Sequence, residues 1–350
     1  MKRITALLLI CVMVAAVVGC GVSEAPETSN TPVSIEDFEP VTLRFSTMNP
    51  ESHFSIDSVY RIKEVVEEKT NGNVKIDVYP GGQLGDYEIV TEELMRGTID
   101  IAFQSAVDKF DARLGAHALP YMCTDYDELG IVYGPDSYLS QVYEEAYADL
   151  GIKFLGVFTE GFQGIGSSEK IQNPADPYAS KNYMLRCAGI KAITDSFKEL
   201  GFSVTTLPYS ETLSGIQTGV VDGWVGGTSI VNYETFSDII NSFYLYKTYV
   251  EATHFIMNAD RFNSLPVEYQ QILMDAVQDE CAKSYDLARE MDDEGMRLLN
   301  EAGIEAVYFT DEELQTMKEA VRTPVLEKSR SLMGDEFIDG LQKYLADNGL

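Results

Sequence analysis

The chain has 350 residues and a formal charge of −30, with 56 acidic against 26 basic residues. So acidic a chain repels nucleic acid and anionic lipid headgroups, which excludes nucleic-acid partners and leaves any anion-binding site in need of its own local cation. Its length allows two ordinary domains with proper cores.

At the N-terminus, Lys2 and Arg3 precede the apolar run Ile4 to Val18, then Gly19 and Cys20. This order of charge and apolar stretch predicts a secretory signal over residues 1–19, and the run is too short for a spanning helix. Val17-Val18-Gly19-Cys20 resembles the lipobox of bacterial lipoproteins, which implies that Cys20 carries the lipid anchor. From Gly21 to Pro40 the residues are mostly Ser, Thr, Glu, Pro and Asn, so residues 20–40 read as a lipidated cysteine and a flexible acidic linker. Cys11 leaves with the signal. The remaining Cys123, Cys187 and Cys281 make neither a disulfide framework nor a metal-binding spacing, and each reads as a small buried hydrophobe. No metal or cofactor is predicted.

From Val41 onward strands alternate with amphipathic helices. Leu43-Arg44-Phe45 opens a strand, a loop passes Asn49-Pro50, and a helix buries Ile56, Val59, Ile62 and Val66 before Gly72. Val74, Ile76 and Val78 alternate as a strand, a helix runs around Ile89 to Leu94 up to Gly97, and a strand covers residues 99–103. The same order returns: helix 192–200, strand 203–207, helix 211–217, Gly219, strand 220–224. Arg96-Gly97-Thr98-Ile99-Asp100 and Thr218-Gly219-Val220-Val221-Asp222 match as helix, glycine, two residues and a strand aspartate, so Asp222 and Asp100 are assigned to the fold. Two similar α/β lobes follow from this repetition. A helix from Pro266 to about Asn300, burying Leu273, Val277, Cys281, Leu287, Met291 and Leu298, is long enough to bridge both lobes. Gly303 ends it, residues 304–309 form a last strand, and Thr310-Asp311-Glu312-Glu313 is a capping box.

Enzymatic signatures are missing: there is no nucleophile elbow, phosphate loop, dinucleotide fingerprint or zinc-protease motif, and His53, His117 and His254 lie far apart. A secreted pair of similar lobes points instead to a cleft that closes on a solute.

Segments in order along the chain carry a family resemblance. They are Thr70-Asn71-Gly72, Pro80-Gly81-Gly82-Gln83-Leu84-Gly85-Asp86, Arg96 to Asp100, Leu119-Pro120-Tyr121, Leu185-Arg186, Pro208-Tyr209-Ser210-Glu211 and Gln217 to Gly223. Together they resemble the substrate-binding subunits of TRAP transporters, the DctP-type family. The resemblance implies an α/β, two-lobed, periplasmic-binding-protein-like fold with a long helix bridging both lobes. It implies a solute receptor, not an enzyme, that captures a small organic acid and delivers it to sodium-coupled TRAP membrane subunits. Residues 41–160 with 252–290 would form the first lobe, and 161–251 with 291–350 the second. The protein would be extracytoplasmic and membrane-anchored, at the surface of a monoderm or in the periplasm of a diderm.

The resemblance also assigns residues. The family arginine matching Arg186 clamps the ligand carboxylate, which suits a planar fork that makes two parallel charge-assisted hydrogen bonds. Tyr209 either covers the ligand or packs the lobes, and Trp224, the only tryptophan, either walls the pocket or packs the core. Asn49, Tyr87, Gln104 and Ser105 sit at strand ends and loops facing the cleft. The chain departs from many members at Gln163 and at Gly226, which carry no charge, so a dicarboxylate held by several arginines does not fit. A monocarboxylate, or a hydroxylated or amide-bearing acid, fits one fixed cation, with Thr228, Asn232 or Tyr233 replacing lost contacts. Two rivals stay open: a solute-binding lipoprotein serving a sensor kinase or an ABC permease, and a tethered enzyme, which would show a titratable pair in the cleft.

Overall fold

The structure is a computed structural model that describes residues 34–350. The predicted signal and Cys20 lie outside the described residues, and no described helix is long and apolar enough to cross a membrane.

In chain order the strands and helices are β1 (Val41–Thr47), α1 (Ile56–Lys69), β2 (Val74–Tyr79), α2 (Tyr87–Arg96), β3 (Ile101–Ser105), α3 (Leu129–Tyr133), α4 (Tyr138–Ala148) and β4 (Ile152–Phe162). They continue as β5 (Ile165–Ser167), β6 (Met184–Cys187), α5 (Lys191–Glu199), β7 (Ser203–Thr206), α6 (Thr212–Gln217), β8 (Gly223–Val225), α7 (Ser229–Phe236) and β9 (Ser242–Tyr244). The last are β10 (Val250–Asn258), α8 (Ala259–Asn263), α9 (Val267–Glu301), β11 (Glu305–Val307), α10 (Asp311–Met333) and α11 (Asp335–Asp347). Two sheets result, ordered β2-β1-β3-β10-β4 and β11-β9-β5-β8-β6-β7.

The repetition legible in the sequence is real in three dimensions. β2-β1-β3 are parallel neighbours in the first sheet, and β7-β6-β8 are parallel neighbours in the second. Gly97 and Gly219 both take left-handed angles, φ 74° and 70°, where a side chain would be strained. The two aspartates then act alike. Asp100 accepts the Arg44 N–H at 2.7 Å and donates its own N–H to the Arg44 carbonyl at 3.1 Å. Asp222 does the same to Met184, at 2.7 and 2.9 Å. This clamp explains why the strands begin later than the sequence predicts, at Ile101 and Gly223. The residues between glycine and aspartate reach the sheet edge before the ladder starts, and Val220 is left 58% exposed.

The chain passes between sheets twice, from β4 to β5 through residues 163–164 and from β9 to β10 through 245–249. Helix α9 supplies the third link; its 35 residues span about 50 Å at ~1.5 Å per residue. Its N-terminal half buries Leu273, Val277 and Cys281 as predicted. Beyond that the inward face is Ser284, Ala288, Asp292, Gly295, Met296 and Leu299, whereas Leu287, Met291 and Leu298 are only partly buried. The reason is close approach: a Cβ on Gly295 would stand 2.2 Å from the Ile230 nitrogen of α7. No side chain fits at the position where α7 meets α9 most closely.

One core fills the space between the first sheet, α1 and the start of α9, around Phe45, Phe103, Phe158 and Phe255. The other runs from the opposite face of that sheet into the second and out to α10 and α11. Helix α11 packs on α4, where Phe337 stacks on Tyr138 at 5.9 Å, and on α3, where Tyr344 donates to the Ile131 carbonyl at 2.8 Å. Thr310 and Glu313 form the predicted capping box at the start of α10. Cys123, Cys187 and Cys281 are free, buried thiols whose pKa values burial raises.

Candidate ligand-binding cleft

The carboxyl ends of β1 and β3 in one sheet and of β6, β7 and β8 in the other carry the residues singled out in the sequence. Arg186 lies on β6 between β7 and β8, in register with Thr205 and Trp224, and is 4% exposed. Its Nε and Nη2 both donate to the Leu207 carbonyl, at 3.0 and 2.8 Å. No carboxylate forms an ion pair with it among the described residues. Burial lowers its pKa, opposed by Tyr249, Cys187, Tyr87 and Tyr209, but a guanidinium stays charged in a protein. A buried cation held by one carbonyl oxygen is an incomplete site, because burying a charge is costly until it is paired.

Tyr87 opens α2 behind the cap Asp86, which accepts the Ile89 N–H at 3.1 Å. Burial raises its hydroxyl pKa; Tyr209, Glu251 and Glu160 add to the rise, and Arg186 opposes it. Side chains from both sheets therefore share one electrostatic environment. Tyr209 is 44% exposed, and burial of its hydroxyl raises its pKa, opposed by Arg186. Its ring centroid lies 5.9 Å from that of Trp224 and 6.4 Å from that of Phe236.

The indole of Trp224 is 2% exposed, rests 4.4 Å from Phe236 and donates to Asn232 Oδ1 at 3.0 Å. Gly226 and Gly227 cross its face so closely that Cβ atoms there would approach the ring to 2.7 and 2.9 Å. Asn232 is fully buried, and its Nδ2 donates to the carbonyls of Gly226, Gly227 and Thr228 at 3.3, 3.4 and 3.0 Å. Both ends of the amide are thus spent on the loop. Asn232 braces this loop against the indole.

The remaining positions divide. Gln104 donates to the Tyr87 carbonyl at 3.1 Å and to Thr91 at 2.8 Å, fixing the start of α2. Asn49 donates to Ser55 at 2.8 Å and to Glu160 at 3.1 Å. Ser105 ends β3, partly exposed, and Tyr233 lies partly exposed on α7. Gln163 and Thr228 are fully buried, yet neither amide atom of Gln163 and not the Thr228 hydroxyl has a hydrogen-bond partner.

Three acidic residues escaped sequence reasoning. Glu160 near the end of β4 accepts from Asn49 and from Thr253 at 3.0 Å and stands 3.7 Å from His53 Nε2. Glu251 on β10 accepts the Gly227 N–H at 2.9 Å; burial, then the Glu160 charge, raise its pKa to about 7. Asp292 on α9 accepts from Tyr126 at 2.7 Å, from the Phe162 N–H at 2.9 Å and from Ser229 at 3.2 Å. It thereby ties the end of β4 to the start of α7. The available signal was a carboxylate in an otherwise apolar strand or on a helix's inward face. A surface groove of about 500 Å³ between α1 and α9 includes none of these residues, and its Arg61 and Glu280 pair with each other at 2.7 Å.

Residues 45–330 match the family described as bacterial extracellular solute-binding protein, family 7, the DctP family. The chain is 25% identical over 291 residues to the ectoine-binding periplasmic protein TeaA of Halomonas elongata, covering 79% of this chain and 82% of that one. It is 24% identical over 318 residues to the C4-dicarboxylate-binding periplasmic protein DctP of Rhodobacter capsulatus, covering 88% and 92%. Among solved structures, the sugar acid binding protein of Advenella mimigardefordensis in complex with galactonate superposes with a TM-score of 0.79 at 20% identity, covering 89% of this chain and 99% of that one.

Proposed function

Because this chain belongs to the bacterial extracellular solute-binding proteins of family 7, the solute receptors of TRAP-type transporters, we propose that Arg186 clamps the carboxylate of its organic-acid solute between the two sheets. The observation that carries this reading is the buried guanidinium with no carboxylate partner, held in place by the Leu207 carbonyl. Tyr87 and Tyr209 flank it from the two lobes. The cation acting on Tyr87, Tyr209 and Glu251 is Arg186 in each case, which favours one carboxylate over two. The relatives' names, spanning ectoine, C4-dicarboxylates and galactonate, do not select among acids.

The lobes meet at residues 163–164 and 245–249, and closure turns about these crossovers, with Asp292 pinning the end of β4 to α9 beside the first of them. The role is binding and not catalysis. Glu160 and Glu251 do bring two carboxylates together, the feature an enzyme in this cleft would need, but the relatives this chain resembles are binding proteins, and no metal-ligand cluster forms among the described residues. Recovery of intact solute by mass spectrometry after prolonged incubation separates the two roles. We also place the protein outside the cytoplasm, tethered through a lipid on Cys20.

Isothermal calorimetry with the acid found by a thermal-shift screen tests the clamp. Truncating one partner of a buried hydrogen-bonded charge pair costs about 2–5 kcal/mol, so Arg186→Ala should weaken binding from about 30-fold to a few thousand-fold. Unchanged affinity in a folded variant refutes it.

A further inference from the structure

Charges of opposite sign act on one another in this cleft without forming an ion pair among the described residues. Arg186 comes from the second sheet; Glu160 and Glu251 come from β4 and β10 of the first, and neither binds a lysine or arginine among the described residues. Glu160 takes neutral donors, Asn49 at 3.1 Å and Thr253 at 3.0 Å, and its nearest basic group is His53 at 3.7 Å. Glu251 takes neutral donors too, the Gly227 N–H at 2.9 Å and the Tyr249 hydroxyl. A desolvated carboxylate pair is stable when a cation lies against it. Here the fold supplies hydrogen-bond donors to the pair but no lysine or arginine.

Unmet polar groups adjoin the pair. Gln163 donates its backbone N–H to the carbonyl of Tyr249, two residues before Glu251, so strand alternation puts Gln163 and Glu251 on one face. Its amide is fully buried and lacks any partner at both ends. Thr228, equally buried and unpartnered, directly follows the glycine that holds Glu251. Native proteins rarely leave such groups unsatisfied, and a bound molecule with its own donors and acceptors satisfies them.

Resting on the reading that Arg186 holds a carboxylate, we propose that the solute is zwitterionic, with a protonated nitrogen seated against Glu251 and Glu160 and with Gln163 and Thr228 completing its hydrogen bonds. A simple anion drawn in by Arg186 meets two carboxylates at its far end, and a dianion meets them with a second negative charge. A zwitterion matches both poles, and because each pole belongs to a different sheet, it also draws the lobes together.

Thermal shift and calorimetry on the full chain, with a panel of small carboxylates arranged as isosteric pairs, test this. Glycine betaine is set against 3,3-dimethylbutanoate, L-pipecolate against cyclohexanecarboxylate, and 4-aminobutyrate against pentanoate, within a wider set of acids with and without a protonated nitrogen. The binding members should carry the nitrogen and exceed their neutral isosteres by about tenfold or more. Glu251→Gln keeps an acceptor for Gly227 and removes only the charge, so it should shrink that preference by about tenfold. Binding confined to nitrogen-free acids, or a Glu251→Gln variant that weakens both members of a pair equally, overturns the inference while leaving Arg186 in its role. If no carboxylate binds at all, the Arg186 reading fails, and the inference with it.

Discussion

Asp292 offers the sharpest test of how α9 holds the two lobes, because its carboxylate is 1% exposed and its ionisation is linked to folding. Burial raises its pKa from 3.8 to about 6, against the lowering effect of hydrogen bonds from Tyr126, Phe162 and Ser229. One pH unit of such a difference is worth 1.36 kcal/mol, so the linkage amounts to about 3 kcal/mol. A carboxyl with a raised folded-state pKa contributes stability that is fully present below the unfolded value near 3.8 and is lost as pH rises through about 6. Asp292→Asn retains an acceptor for the Phe162 N–H, and the Tyr126 and Ser229 hydroxyls can turn to accept from its amide. It has no proton to lose. Urea unfolding of both proteins from pH 4 to pH 7 should show the wild type losing about 2 kcal/mol of that linkage relative to Asp292→Asn across the window. A difference that stays constant with pH would mean that Asp292 is already ionised at pH 4, held as an anion by its donors, and the reasoning from burial would be wrong.

Gly295→Ala places a methyl 2.2 Å from the Ile230 nitrogen and 2.5 Å from the Ser229 carbonyl carbon, so α7 must shift; thermal unfolding should show a loss of about 1–3 kcal/mol, typical of overpacking. Asn232→Ala leaves the Trp224 Nε1 without its acceptor and frees three loop carbonyls. It should cost about 1–3 kcal/mol and shift the emission of the only tryptophan; an unmoved spectrum would show that the indole does not depend on that brace. Cys20→Ser should release the protein from the membrane fraction, and continued retention on fractionation would remove the lipid anchor from the account.

Much of the fold was legible because backbone rules act locally. The glycines at 97 and 219, the capping box at Thr310 and the apolar stripe of α1 announce their elements through residue types that few other conformations favour. Asp100 and Asp222 could be assigned to the fold from a repeated junction alone, and the structure shows the matching backbone clamps. Tertiary packing decided the rest. The second half of α9 turns small and polar residues inward because α7 approaches its backbone there, a demand that helical periodicity does not encode. Trp224 and Asn232 bind each other, a pairing that brings the strand end and α7 together and that residue types alone do not encode. Glu160 and Glu251 lie far apart in the chain and become a pair only where β4 and β10 run side by side, near the arginine of the other sheet. By itself the sequence determined the alternation of elements and the family. Only the folded structure decided which charges stand opposite Arg186, because desolvation and electrostatic coupling depend on distances that chain order does not contain.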